Sequence, residues 1–352
     1  ELINYPGFNR NIISFGLVKD VLINDDIVNI ILNVKTDNIE HLEKIKADII
    51  NIIESNFTFT KINIELLTDS NLTESTNNLK PKKIIAFASC KGGVGKSTMS
   101  LNVACELAKK YKVGFLDLDI YGPSLPIMIN VKTQPEFVDN KLIPLNKYGI
   151  DFMSFGFLNN ENSPAIWRGP MVSRMTQQFF ENVEWGELDY LIIDLPPGTG
   201  DIQLTLVQKI QLTGAVIITT PQDLAVADVQ KGSDMFKKVN VPLIGVIENM
   251  SMFSLTGSIK NYNTDSNIEL NINDDKNIVI DDLGNFKFNI DIFKGSGGYS
   301  ESKRLGVPLL GKICIDPHLS ESSDSGTPYV LQNLNSHNQI EFEKISELIA
   351  DF

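Results

Sequence analysis

Residues 89–98 combine glycines, lysines and hydroxyls at a spacing that suits phosphate binding. In "CKGGVGKST", the glycines permit a tight turn that aims backbone N–H groups at phosphate oxygens. A strand-like segment precedes the motif and a helix-like segment follows it. The predicted nucleotide-binding residues are Lys91, Gly92, Gly93, Val94, Gly95, Lys96, Ser97 and Thr98. Within this set, Lys96 is expected to contact the β- and γ-phosphates and the Ser97 hydroxyl to bind Mg²⁺.

A second lysine, Lys91, stands directly ahead of the glycines. At the mouth of the loop, where a second subunit can approach the phosphates, a cation stabilises the charge that develops during γ-phosphoryl transfer, as an arginine finger does. A solvated surface lysine is the alternative interpretation. Lys91, Lys96 and Asp119 are therefore the catalytic candidates.

Three aspartates follow apolar strand-like segments. Asp117 and Asp119 close "GFLDLD", where strand alternation puts both on one side, and Asp194 closes "YLIID". We predict that Ser97, Asp117 and Asp194 serve Mg²⁺, the two aspartates through water. Asp119 is predicted to orient the attacking water. Capping of strand ends is the alternative role for Asp117 and Asp119.

Two further motifs are less specific. Asn249 ends the strand-like "GVIEN", and its amide has the donor and acceptor that match an adenine edge, so we predict that it contacts the base. The pattern alone is equally compatible with a packing role, and its position after the Asp194 segment favours the base. "WRGPM", residues 167–171, suits a partner contact and a packed turn equally well.

The order of apolar segments predicts the scaffold. Residues 83–352 alternate apolar strands with helices, which is typical of an α/β P-loop NTPase domain with a doubly wound, mostly parallel sheet. Within it, polar and apolar residues alternate at about 256–291, which predicts an inserted β segment. Residues 1–67 predict a small α+β domain of ββαβ order, and the polar stretch 68–82 predicts a linker.

Composition limits the partners and the compartment. The net charge of −13 opposes a nucleic-acid-binding or anionic membrane-binding surface. No apolar run approaches the roughly 20 residues of a membrane-spanning helix. Three widely spaced cysteines do not predict disulfides, so we expect a reducing compartment, either the cytoplasm or an organellar matrix or stroma, and not secretion. The chain starts at Glu1, which leaves a preceding targeting peptide open.

Six motifs together resemble those of the Mrp family of iron–sulfur carrier ATPases, in the deviant Walker A class that includes MinD and ParA. They are "CKGGVGKST", "DLDIYGPSLP", "WRGPM", "DLPPGTGDIQLTL", "TTPQDLAVADVQKG" and "ENMS". The similarity runs from about Lys82 to Asn335. The N-terminal "PGFNRNIISFGLVKDVLI" resembles the iron–sulfur-assembly domain that precedes many Mrp ATPase domains. The cysteine ahead of Lys91 is similar to that of the plastid-type branch.

The resemblance implies a slow, Mg²⁺-dependent ATPase that acts as a homodimer around two ATP molecules, with Lys91 acting across the interface. It also implies a cluster, [4Fe–4S] by analogy, that is passed to apo iron–sulfur proteins. Many relatives carry Cys-x-x-Cys after "ENMS", but this chain continues "SMFSLTGSIKNYN". Cys90 is the one candidate cluster ligand, although a small packed residue is the favoured interpretation of this position. Cys105 and Cys314 are expected to pack in the core.

The alternative hypothesis is a MinD- or ParA-like dimerisation switch that carries no cluster. The missing cysteine pair favours it. MinD-like action requires a basic amphipathic C-terminal helix, whereas the tail "EFEKISELIADF" is acidic. ParA-like action requires a basic DNA-binding face, which the net charge of −13 opposes. The carrier is therefore the leading hypothesis, with no nucleic acid and no membrane among its expected partners.

Overall fold

The computed structural model divides the chain into two compact units, Glu1–Asn77 and Asn78–Phe352. It describes residues 3, 12, 17–24, 27–34, 39–57, 61–68, 81–120, 122–138, 141–158, 179–180, 182–198, 201–222, 233–263, 271–272, 276–277 and 280–352. Most of the predicted linker and all of "WRGPM" lie outside these residues.

The N-terminal unit has the predicted ββαβ order. It comprises β1 (Val18–Asn24), β2 (Ile27–Val34), α1 (Ile39–Asn56) and β3 (Lys61–Thr68). Strand β2 is central, antiparallel to β1 and parallel to β3. Val28, Ile30 and Leu32 alternate along β2 and are buried in one apolar cluster with Ile45 and Ile49 of α1. This period of two places one face of the strand against the helix.

The second unit begins at the strand that leads into the phosphate loop. Its strands are β4 (Lys83–Ala88), β5 (Val113–Asp117), β6 (Phe137–Val138), β7 (Lys141–Leu142), β8 (Leu145–Lys147), β9 (Ile150–Ser154), β10 (Tyr190–Asp194), β11 (Gly214–Thr219), β12 (Leu243–Ser258), β13 (Asn271–Ile272), β14 (Lys276–Asn277), β15 (Asn285–Ile290) and β16 (Leu309–Ile315). Its labelled helices are α2 (Lys96–Leu107), α3 (Leu125–Met128), α4 (Asp201–Lys209), α5 (Gly297–Leu305), α6 (Pro317–Ser325), α7 (Tyr329–Gln332) and α8 (His337–Ala350).

A nine-stranded sheet forms the scaffold of this unit, in the order β15-β12-β11-β4-β10-β5-β9-β8, with β16 also paired to β12. Strand β4 is parallel to its neighbours β10 and β11, and β10 is parallel to β5. At the edges, β15 is antiparallel to β12 and β8 is antiparallel to β9. Strands β5, β10 and β11 are buried along their whole length. Apolar clusters cover both faces of the sheet, which explains why these strands are apolar without interruption. The predicted doubly wound, mostly parallel α/β fold is confirmed.

The region predicted as an inserted β segment is partly built into this sheet. Strand β12 is unusually long, and its last part, Phe253–Ser258, pairs antiparallel with β15. Strands β13 and β14 form a separate two-stranded antiparallel pair. The insertion therefore lengthens the sheet at one edge.

Candidate nucleotide-binding site

The loop between β4 and α2 requires glycine at specific positions. Gly93 and Gly95 have φ angles of +80° and +82°, in the left-handed region that favours glycine. Gly95 is also closely packed, since a Cβ atom there would lie 2.4 Å from Asn249 Nδ2. Helix α2 starts directly after Gly95, so its first N–H groups belong to the loop. This geometry suits an anion bound at the helix N-terminus.

Asp194 is the centre of a buried polar network beneath the loop. Its Oδ1 lies 2.6 Å from Lys96 Nζ, and both side chains are almost fully buried. Ser97 Oγ donates to Asp194 Oδ2 at 2.5 Å, and Ser100 Oγ donates to Oδ1 at 3.2 Å. A buried carboxylate needs such partners, because removing it from water is otherwise costly. The motif lysine, the motif serine and the aspartate of β10 thus form one contact network.

Asp117 is the second buried carboxylate, in register with Asp194 on the neighbouring strand. Its Oδ2 accepts from Ser154 Oγ and its Oδ1 from the Asp119 N–H, both at 2.9 Å. Burial, and then the negative charge of Asp194, raises the pKa of Asp117 to about 7. Asp194, which accepts from the Ser97 hydroxyl, and the neighbouring Asp117 offer the hard oxygen donors that Mg²⁺ prefers, so these residues fit that ion.

A cavity of about 380 Å³ opens over the loop. Every predicted loop residue from Lys91 to Thr98 lines it, and so do Asp119 and Pro197. Its lining also includes Ser124, Ile127 and Met128, and Ser323 and Asp324 at the end of α6. The volume lies within the range of small-molecule sites. The contribution of α6 was not predicted, because "SESSDSG" carries no recognisable motif.

Asp119 differs from Asp117 in its surroundings. It lies beyond the end of β5, is half-buried and lines the cavity. Its Oδ1 accepts from the Gly122 N–H at 3.2 Å. Asp117 is only 1% exposed. Strand alternation suggested equivalent positions, whereas the structure puts one carboxylate beneath the loop and the other at the cavity.

The matching family model is described as a ParA, NUBPL iron-transfer P-loop NTPase and covers residues 80–270. The chain belongs to this family. It is 42% identical over 274 residues to the iron–sulfur cluster carrier protein of Aquifex aeolicus, covering 76% of this chain and 67% of that protein. The Helicobacter pylori protein of the same name is 33% identical over 362 residues, covering 100% of this chain and 90% of that one. The Mrp-type resemblance is confirmed, while the plastid-type branch stays a prediction.

Solved structures are similar to this chain as well. A nucleotide-binding protein from Archaeoglobus fulgidus, solved with ADP, is 31% identical with a TM-score of 0.58, covering 78% of this chain and 96% of that one. The cell-division ATPase MinD of Pyrococcus furiosus has a TM-score of 0.53 at 18% identity, with coverage of 77% and 99%. The latter similarity shows the fold alone.

Asn249 contacts the phosphate loop through a side-chain hydrogen bond. Its Nδ2 donates to the Val94 carbonyl at 2.8 Å, and the residue is 4% exposed. The prediction that Asn249 ends its strand is wrong, because β12 continues to Ser258. The strand is irregular here, since Met250 has φ +56° and the pairing with β16 shifts between Asn249 and Phe253. Contact with the adenine base stays a prediction.

The three cysteines of this chain differ in burial. Cys90 is half-buried beside the phosphate loop, whereas Cys105 and Cys314 are buried, as expected for core packing. Burial raises the pKa of both buried thiols. Among the residues that the structure describes, no three His, Cys, Asp or Glu side chains are grouped to hold a metal ion. Within that same part of the chain, no helix has the length and apolar character needed to cross a membrane.

Proposed function

We propose that this chain is an ATP-hydrolysing carrier that acts as a homodimer and delivers iron–sulfur clusters to apoproteins. The main supporting observation is the buried network of Lys96, Ser97 and Asp194 beneath the 380 Å³ cavity. Membership of the iron-transfer NTPase family and the names of its relatives support the cargo. The compartment proposed is a reducing one, the cytoplasm or an organellar matrix or stroma.

In the proposed mechanism, the N–H groups of the loop and of the first turn of α2 hold the phosphates. Lys96 exchanges its contact with Asp194 for the β- and γ-phosphate oxygens. Asp194, Ser97 and Asp117 would then hold Mg²⁺, which neutralises charge on the phosphates. Asp119 orients a water that attacks the γ-phosphorus while the bond to the β–γ bridging oxygen breaks, which gives ADP and phosphate.

Lys91 is proposed to act on the nucleotide of the partner subunit. It lines the cavity beside Gly92 and Gly93, both of which are exposed, so this side of the loop is accessible to a second copy. A lysine delivered there stabilises charge on the transferred phosphoryl group. The two lysines then have separate tasks: Lys96 binds the nucleotide of its own subunit, and Lys91 promotes turnover in the other.

Mixing two inactive variants tests this arrangement. Lys96→Ala is expected to lose nucleotide binding, and Lys91→Ala to bind nucleotide without turnover. In a mixed dimer, the Lys96→Ala subunit supplies its Lys91 to the ATP held by the Lys91→Ala subunit. ATPase activity should therefore reappear on mixing the two variants in the presence of Mg²⁺. If the mixture stays inactive although mixed dimers form, the role across the interface is wrong.

Cargo binding is proposed to involve Cys90. This cysteine precedes Lys91 directly, so a dimer formed over the phosphate loops brings two Cys90 thiolates to the same face. Two thiolates are half of the set that a [4Fe–4S] cluster usually takes. Cys105 and Cys314 are buried and unsuited to this role.

Anaerobic reconstitution with iron and sulfide, followed by transfer to an apo-acceptor, tests the cargo. The wild type should hold stoichiometric iron and activate the acceptor. Cys90→Ser should lose most of the iron, while the matched Cys105→Ser variant should retain it. A colourless wild type that hydrolyses ATP would instead support the second candidate, a dimerisation switch without cargo, which the absence of a grouped donor set among the described residues favours.

A further inference from the structure

The lining of the cavity includes a carboxylate that phosphate binding does not explain. Asp324 is exposed, lines the cavity and lies in the last turn of α6. A carboxylate is unfavourable there, because the C-terminal end of a helix carries partial negative charge, and the last turn of α6 contains no basic residue to offset it. Helix stability therefore does not explain why a carboxylate occupies position 324.

Contacts around the end of α6 hold this position in place. Gly326 follows the helix with φ +75°, and a Cβ atom there would lie 2.3 Å from Asn130 Cβ, so the two segments pack tightly. Tyr148 Oη donates to the Gly326 carbonyl at 3.0 Å. Ser323, beside Asp324, donates from Oγ to the Leu319 carbonyl at 3.1 Å. The carboxylate is thus presented to the cavity by a fixed helix end.

The cavity lining carries side chains of both charge signs. Lys91, Lys96 and the N-terminus of α2 lie at the loop, where the phosphates are expected. Asp324 would repel a phosphate but is a strong acceptor for a neutral donor group. The part of a nucleotide that offers neutral donors is the nucleoside. A ribose presents two adjacent hydroxyls, and an acidic side chain is a recurring partner for such hydroxyls in nucleotide sites.

We infer that Asp324 accepts a hydrogen bond from a ribose hydroxyl of the bound nucleotide, so that this helix end selects ribonucleotides over deoxyribonucleotides. The inference rests on the proposed function, since it requires ATP in the cavity. Asp324 acts here as a nucleoside-binding residue and takes no part in phosphoryl transfer. It adds sugar recognition to a site in which only phosphate and base contacts were predicted.

Binding of ATP, 2′-deoxy-ATP, 3′-deoxy-ATP and ITP to the full chain with Mg²⁺ tests this assignment. Isothermal titration calorimetry would compare the wild type with Asp324→Ala and with Glu321→Ala, an exposed acidic control on the same helix that does not line the cavity. A hydrogen bond to a charged acceptor corresponds to a preference of about tenfold for ATP over the deoxy analogue that lacks the donor. Asp324→Ala should abolish that preference, and Glu321→Ala should preserve it.

The outcomes separate this inference from the proposed function. If the wild type binds none of these nucleotides, the proposed function fails. If the wild type binds ATP and Asp324→Ala keeps the same preference over both deoxy analogues, only the role of Asp324 is overturned. A variant that instead loses the preference for ATP over ITP would place Asp324 at the base amino group and would also overturn it.

Discussion

Around Asp194, one chain brings a lysine and two serines within hydrogen-bonding distance, whereas its three cysteines lie in separate parts of the fold. Cys90 precedes the phosphate loop, Cys105 lies on α2 and Cys314 on β16. The side chains proposed to hold the phosphates and Mg²⁺ are thus assembled within one subunit. A donor set for a cluster is not assembled within the described residues of one chain, so the proposed cargo requires a second source of ligands, for which we propose Cys90 of each subunit in a dimer.

The energetic reason for this difference lies in burial. Lys96 and Asp194 are almost fully buried, and such a pair is stable only while both partners are present. The nucleotide site is therefore held in one arrangement before a nucleotide binds. Cys90 is only half-buried, which suits the proposed role of a ligand that must accept and release its cargo.

Alkylation of the thiols gives the largest expected effect. In the native protein, iodoacetamide should modify Cys90 first, Cys314 more slowly and Cys105 on the order of a thousandfold more slowly, because burial hides the buried thiols and raises their pKa. Mass spectrometry of timed digests measures the three rates. ATP with Mg²⁺ should protect Cys90 if the dimer covers it. Equal rates for the three cysteines would remove the contrast between them.

The two lysines of the loop should separate binding from turnover. Lys96→Ala should weaken ATP binding by about a hundredfold, because it removes the contact with the β- and γ-phosphates. Lys91→Ala should keep the affinity within about threefold while abolishing hydrolysis. Calorimetry measures binding and phosphate release measures turnover. Equal loss of binding in both variants would contradict the division of tasks.

Lys96→Ala needs a control for folding, because it leaves Asp194 buried without its cation. Loss of one partner of a buried pair destabilises a protein by about 3–5 kcal/mol. The double variant Lys96→Ala, Asp194→Asn removes both charges and should recover part of that loss. If its thermal stability is restored while ATP binding stays absent, unfolding is not the cause of the lost binding.

Gly95→Ala should disturb the loop more than Gly92→Ala does. Alanine at φ +82° is strained by about 1 kcal/mol, and its Cβ atom would displace Asn249 from the Val94 carbonyl, which costs about 1 kcal/mol more. We expect a total loss of roughly 2 kcal/mol in the free energy of unfolding, measured in urea. Nothing lies within 4 Å of a Cβ atom at Gly92, so the matched variant should be close to neutral. Equal losses would mean that Asn249 does not hold the loop.

The parts of this site that could be predicted from sequence are those encoded locally. The loop, Lys96 and Asp194 stand in contiguous motifs whose chemistry depends on short spacing, and the structure brings them together. Asp324 was not predicted, because it lies far from the phosphate loop in sequence and lines the cavity only through the packing of α6. Asn249 was expected at a strand end, but an antiparallel partner, β15, extends the strand past it. Such long-range pairing leaves no signal in a single segment.

The smallest effect is expected at Asp316, which anchors the first turn of α6. It caps the helix by accepting from the His318 N–H at 2.9 Å, and it accepts from Tyr329 Oη at 2.6 Å. Asp316→Ala should cost about 1 kcal/mol of stability through the lost cap. Because α6 carries Asp324, ATP affinity should fall by about twofold to threefold, a shift below 1 kcal/mol. The alkylation rate of Cys90 should not change, since that thiol precedes the phosphate loop and does not lie on α6.

The pH dependence of the stability that Asp316 contributes shows whether its negative charge is responsible. Burial by itself would raise the pKa of Asp316, but hydrogen bonds from Tyr329 and His318 outweigh it and hold the pKa below its ordinary value. A lowered carboxyl pKa stabilises the folded state above the ordinary pKa of about 4, and the contribution is lost as the pH falls through the folded-state pKa. The stability difference between wild type and Asp316→Ala should therefore be constant near neutral pH and shrink in acid. Asp316→Asn retains a capping oxygen without the charge. If Asp316→Asn is as stable as the wild type throughout this pH range, the charge makes no contribution.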